Sequence, residues 1–107
     1  MLKWICKSTG VAEGGSVSFG LHDIPVEHKR LVIDAFSSNN PTTITVFVSY
    51  DNGRTWVAAG VSGTDAAASI SLDGEGVGQA VELVPAPNIK LVSSAACKLT
   101  AYAYISN

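Results

Sequence analysis

A chain of 107 residues with 47% hydrophobic side chains is long enough to close one core without metal or disulfide support, but at 15% charged residues it falls well below the ~25% of an ordinary soluble surface. The net charge of −2, with seven basic residues scattered and only Lys29-Arg30 adjacent, speaks against a nucleic-acid partner, whose phosphates need clustered Lys and Arg. No apolar run approaches the ~20 residues of a membrane helix. MLKWICKSTG lacks the apolar stretch and cleavage pattern of a secretory signal. The expectation is a single domain over residues 1–107, made in the cytoplasm, with no membrane partner.

Taken in order, Leu2–Cys6 alternates, with Leu2, Trp4 and Cys6 on one side, and reads as a first strand. Ser8–Gly15 is a Gly-rich turn region, and Ser16–His22 alternates again with Val17, Phe19 and Leu21 facing one way. Asp23–His28 holds Pro25 among polar groups and reads as a loop. Lys29–Ser37 admits two readings. Asp23 as N-cap and Pro25 in a first turn suit a helix, but Leu31-Val32-Ile33 is rich in β-formers and Ser37-Ser38-Asn39-Asn40-Pro41 ends the run abruptly. A strand is favoured.

Thr43–Val61 is the strongest local signal. An Asn-Gly pair between alternating apolar residues marks a two-residue type I′ hairpin turn, which needs φ > 0 at both positions. With Asn52-Gly53 as the turn, Val48 faces Val57 and Ser49 faces Trp56. Ile44, Val46, Val48 and Val57 then share one side, Phe47 and Trp56 the other. Both sides are partly apolar, so something covers each.

Ser62–Asp65 turns the chain, and Ser69–Leu72 reads as a short edge strand within a weakly patterned segment. Asp73–Gly78 is a flexible loop, Gln79–Val84 a strand, and Pro85-Ala86-Pro87 an interruption. Ile89–Ser93 and Lys98–Ile105 are two more strands, the last with Leu99, Ala101, Ala103 and Ile105 opposite Thr100, Tyr102 and Tyr104. Short strands at this density predict an all-β, two-sheet antiparallel β-sandwich, either jelly-roll or immunoglobulin-like. The absence of an internal repeat speaks against a propeller.

Ser49-Tyr50-Asp51-Asn52-Gly53-Arg54-Thr55-Trp56 resembles an Asp box, the pattern Ser-x-Asp-x-Gly-x-Thr-Trp of sialidase-type propellers and other β folds. The resemblance implies a structural hairpin formed by Ser49, Asp51, Asn52, Gly53, Thr55 and Trp56, with Asp51 bracing the turn and Trp56 packed inward. It implies no catalytic site. Asx side chains bond neighbouring backbone on general grounds as well. Sialidases, as a family, bind the substrate carboxylate with an arginine cluster, whereas this chain has only Arg30 and Arg54.

Other candidates for chemistry are thin. His22-Asp23 and Glu27-His28 flank a loop, but their spacing fits no metal or catalytic motif, and a solvated loop explains them. Asp73-Gly74-Glu75-Gly76 lacks the ligand series of a calcium loop. Cys6 and Cys97 match no zinc or redox spacing and are expected as small buried hydrophobes. No nucleophile motif is present. The expectation is a non-enzyme with no cofactor and no metal. Phe47, Tyr102 and Tyr104 are candidates for an interface, since Tyr suits half-wet contacts. Exposed aromatics among Trp4, Trp56, Tyr102 and Tyr104 would instead allow a glycan-binding module.

PNIKLVSS and the closing CKLTAYAYISN, in a small, low-charge β chain, resemble the style of small structural proteins of tailed-phage virions. These include decoration (cement), head-fibre and tail-associated β-sandwich proteins. That resemblance implies a homo-oligomer in the virion, contacting major capsid or tail proteins through edge strands or sheet faces.

Overall fold

The computed structural model describes residues 2–20, 30–38, 41–64, 66–72, 79–84 and 86–106, with the backbone alone at 2–5, 79, 105 and 106. Nine strands are described: β1 Leu2–Val11, β2 Ser16–Gly20, β3 Arg30–Ser37, β4 Thr42–Ser49, β5 Val57–Ala58, β6 Ser69–Leu72, β7 Gln79–Leu83, β8 Asn88–Ser93 and β9 Cys97–Ser106. They form two antiparallel sheets. Sheet A runs β1-β9-β3-β7, and sheet B runs β2-β8-β4, with β5 and β6 both on the outer side of β4. Strands β1, β3, β7 and β9 thus lie in one layer and β2, β4, β5, β6 and β8 in the other, the chain crossing between layers at nearly every connection outside β4–β6. This alternation is the winding of a jelly roll, not the grouping of an immunoglobulin sandwich.

The strand reading of 30–37 holds, and the reason is visible in the ladder. Leu31, Ile33 and Ala35 alternate inward and are fully buried, a period of two that a helix cannot satisfy. From sheet A they meet Leu83, Leu99, Ala101 and Ala103; from sheet B come Val17, Phe19, Ile44, Val46, Val48, Ile70, Leu72, Ile89 and Leu91. Ala35 pairs with Ala101 across β3 and β9, so a patch of small side chains leaves room for the larger ones opposite. Interdigitation of this kind fills an interior without voids.

The first strand outruns its expected end. The ladder with β9 continues from Cys6↔Tyr102 to Val11↔Cys97, so residues placed in a turn region join the sheet as far as Val11. The turn proper follows, with Gly14 N–H bonded to the Ser93 carbonyl at 2.9 Å. The His22–His28 loop and the Asp73–Gly76 loop lie outside the described residues.

The two sides of the sandwich close differently. On the β7 side, Ser62 N–H bonds Glu82 O at 2.9 Å and Val84 N–H bonds Gly60 O at 3.0 Å, so the segment after β5 covers the edge of β7. On the opposite side β1 is the edge strand, with no further strand beside it among the described residues. There Lys7, in register with the buried Ala101, reaches its ammonium to 5.8 Å from the centroid of the Phe19 ring. A charge at an inward position of an edge strand discourages further strand pairing.

Candidate functional site

The hairpin at Asn52 is built from its own side chains. Ser49, the last residue of β4, is fully buried. Its hydroxyl donates to Asp51 Oδ1 at 2.7 Å and accepts the Gly53 N–H at 2.9 Å. Asp51 Oδ1 also accepts the Thr55 N–H at 2.8 Å. Asn52 and Gly53 have φ of 64° and 87°, the left-handed pair a type I′ turn requires. Gly53 answers that φ, since a Cβ there would meet only the Trp56 ring at 3.6 Å. The Thr55 N–H, then the Ser49 hydroxyl, hold the exposed Asp51 carboxyl below its ordinary value. Ser49, Asp51, Asn52, Gly53 and Thr55 therefore act as one brace, and β4 pairs with β5 as Val48↔Val57.

Trp56 departs from the inward packing that the Asp-box resemblance implies. Its ring is half-buried on the outer face of sheet B, beside Phe47. It precedes Val57, the partner of the inward-facing Val48, and so lies on the other side of the sheet. Lys90 Nζ stands 4.6 Å from the Trp56 centroid and 5.6 Å from that of Phe47. Val57, on the side of Val48 as expected, is nevertheless 47% exposed. It sits in a two-residue strand at the sheet margin, beyond the reach of the opposite layer.

The three interface candidates do not share a surface. Phe47 faces out from sheet B, where Lys90 already occupies its ring. Tyr102 and Tyr104 face out from sheet A, with ring centroids 6.3 Å apart and planes at 24°. Phe36 meets Tyr102 edge-on at 6.0 Å. Val32, Phe36, Tyr102 and Tyr104 are all half-buried, shielding one another on the outside of the molecule. Among them lies Asp34, opposite Tyr102 in the ladder. Its Oδ1 is sealed from solvent and has no hydrogen-bond partner among the described residues. Burial raises its pKa above 3.8, and the Ala35 N–H offsets only part of that.

Cys6 is exposed rather than buried, while Cys97 is half-buried against the core. The Cys6↔Tyr102 register sets Cys6 on the outer face, where its hydrogen bond and charge raise the Tyr102 phenol above its ordinary value. Val11, not Cys6, is the partner of Cys97, so the two thiols are well separated along the β1–β9 ladder and both are free.

Among the described residues no three His, Cys, Asp or Glu side chains converge. The aromatic cluster with Asp34 was not anticipated as a unit. Phe36 and Asp34 alternate with buried residues in β3, so the outward set was readable, but not its junction with β9.

No protein-family model matches the chain, and no curated protein matches it. Among solved structures, a chain described under "Bacillus endospore appendages form a novel family of disulfide-linked pili" superposes with a TM-score of 0.57 at 13% identity, covering 98% of this chain and 83% of that one. At that identity the likeness is one of fold.

Proposed function

We propose that this chain is a non-catalytic structural subunit that works through protein–protein contacts in a repeating homo-oligomeric assembly. Its place is in the virion of a tailed phage, as a capsid decoration (cement) protein or another head or tail accessory. The observation that carries the reading is the outer face of sheet A. Val32, Phe36, Tyr102 and Tyr104 gather there around an occluded Asp34 carboxylate, on a chain with only 15% charged residues. Aromatic side chains are enriched in buried interface cores, and the burial that raises the Asp34 pKa favours the neutral acid at this centre. Head-to-tail packing of such a face builds rings or lattices when the rotation closes.

One observation favours a filament as a second geometry for the same role. The fold neighbour belongs to appendages described as disulfide-linked pili, and Cys6 here is a free, exposed thiol beside the aromatic face. Sedimentation and negative-stain electron microscopy test both. The assembly reading expects particles larger than one chain that dissociate on Phe36→Lys with Tyr104→Lys, while circular dichroism is unchanged. A discrete ring supports the decoration role. A ladder of cross-linked species on a non-reducing gel, lost in Cys6→Ser, supports the filament. A monomer at all concentrations, with and without capsid or tail proteins, overturns the proposal.

A further inference from the structure

We infer that the turn end of the molecule carries a binding site for a neutral saccharide, organised on the exposed ring of Tyr50. This surface is separate from the aromatic face of sheet A and does not rest on the assembly role. Tyr50 follows β4 and is 63% exposed, although Ser49 beside it is fully buried. Its phenol forms a ridge between two shallow hollows. One, of about 390 Å³, is lined by Tyr50, Asn52, Pro87 and Asn88. The other, of about 280 Å³, is lined by Tyr50, Asp51, Thr55 and Val57. The larger lies within the size range of small-molecule sites.

Part of the lining is held in place before any ligand arrives. Asn52 is fixed in its left-handed conformation by the turn that Ser49 and Asp51 brace. Asn88 begins β8 opposite Ser49 of β4 and is only 8% exposed. Its Nδ2 donates to the Ser49 carbonyl at 3.4 Å, leaving Oδ1 without a partner among the described residues. Pro87 holds its own backbone rigid beside it. Preorganised side chains lose little freedom on binding.

The chemistry of the lining selects the ligand class. A pyranose presents a belt of C–H groups on one face and hydroxyls around its rim. The Tyr50 ring and Pro87 offer apolar surface to the first. The amides of Asn52 and Asn88 and the Thr55 hydroxyl offer both donors and acceptors to the second, which hydroxyls, being both, can use in either sense. Among the described residues no Lys or Arg lines either hollow, and Asp51 is ionised at neutral pH, so a phosphate or carboxylated sugar meets no counter-charge from them and one repulsion. A protein partner is less suited, because an interface core is apolar whereas here the rim is amide and hydroxyl.

The test titrates the full, ¹⁵N-labelled chain with maltohexaose, cellohexaose, chitohexaose and mannohexaose, with polysialic acid as anionic control, following backbone amide shifts. The proposal expects at least one neutral hexasaccharide to give saturable shifts centred on Tyr50, Asn52 and Asn88, and polysialic acid none. Tyr50→Ala should weaken that binding by about tenfold and Tyr50→Phe by no more than about threefold. Asn52→Gly, which keeps the left-handed turn, should weaken it by about fivefold. Three outcomes overturn the proposal. One is no shift in these residues with any neutral probe at about 10 mM, beyond the weakest millimolar affinities. Another is binding undiminished in Tyr50→Ala with its remaining spectrum intact. The third is silence toward saccharides together with loss of self-association in Tyr50→Ala, which would make the ridge a protein contact.

Discussion

The Ser49 hydroxyl sits 2.7 Å from Asp51 Oδ1 while accepting the Gly53 N–H at 2.9 Å, so one buried oxygen joins the strand end to both sides of the turn. Ser49→Ala leaves the Gly53 N–H and one carboxylate lone pair without that partner, and should cost about 2 kcal/mol in urea-induced unfolding. The same contacts set an acid limit. Because Asp51 titrates below its unfolded value of 3.8, its contribution is complete above that pH and is lost as pH falls through the folded value. Asp51→Asn should be less stable than the parent at neutral pH, and the gap should close in melts recorded below pH 3.8.

Asn52 adopts φ of 64°, a conformation that costs a residue with an ordinary Cβ about 1 kcal/mol or more and that Asn and Gly tolerate. Asn52→Ala is therefore expected to lose about 1 kcal/mol. Asn52→Gly should fall within a few tenths. Equilibrium denaturation of the two variants side by side separates backbone conformation from any loss of the amide.

Asp34 behaves in the opposite sense to Asp51. Burial raises its folded pKa above 3.8, so the native state holds the proton more tightly than the unfolded chain, and stability declines as pH rises through that interval. Replacing the carboxylate by an amide removes the charge that burial disfavours. Asp34→Asn should be more stable than the parent at neutral pH, with a higher Tm. The gain should vanish in acid below 3.8. A calorimetric series across pH on the dissociated protein reads this directly.

On the outside of sheet B, Lys90 lies over Trp56 and Phe47 at 4.6 and 5.6 Å. A double-mutant cycle with Lys90→Met and Trp56→Leu isolates the charge-to-ring term from the loss of buried area. The coupling should be about 0.5–1 kcal/mol, as for a half-exposed cation over an indole, and should persist in high salt better than the Arg30–Glu82 ion pair, exposed at 66% and 34%.

On the edge strand β1, Lys7 is a charged residue in an inward register position, as is Lys3 opposite Ile105. Lys7→Val would take the ammonium away from the already buried Phe19 ring and with it a feature that discourages a second copy from adding its strand. The expected outcome is a domain that melts no lower but self-associates through its edge at lower concentration. Sedimentation velocity of the variant against the parent reads that shift, and identical association curves would count against the role of Lys7.

Much of the architecture is local in origin and therefore legible in the chain. Alternation of Leu31, Ile33 and Ala35, and of Leu99, Ala101 and Ala103, dictates inward faces because a pleated strand repeats every two residues. Asn52-Gly53 dictates the hairpin because few other pairs enter the left-handed region together. What required the tertiary structure is everything that depends on partners distant in the chain. The choice of jelly roll came from β1 and β3 both pairing with β9, contacts whose free energy lies in burying side chains that no local pattern brings together. The same holds for Cys6, Trp56 and Val57, whose apolar character suggested shelter but whose register or place at a sheet margin denied it. It holds for the Tyr50 hollow too, since Pro87 and Asn88 reach that ring only when β8 lies against β4. Pleat and turn are decided by neighbours along the backbone; which face meets water is decided by the opposite layer.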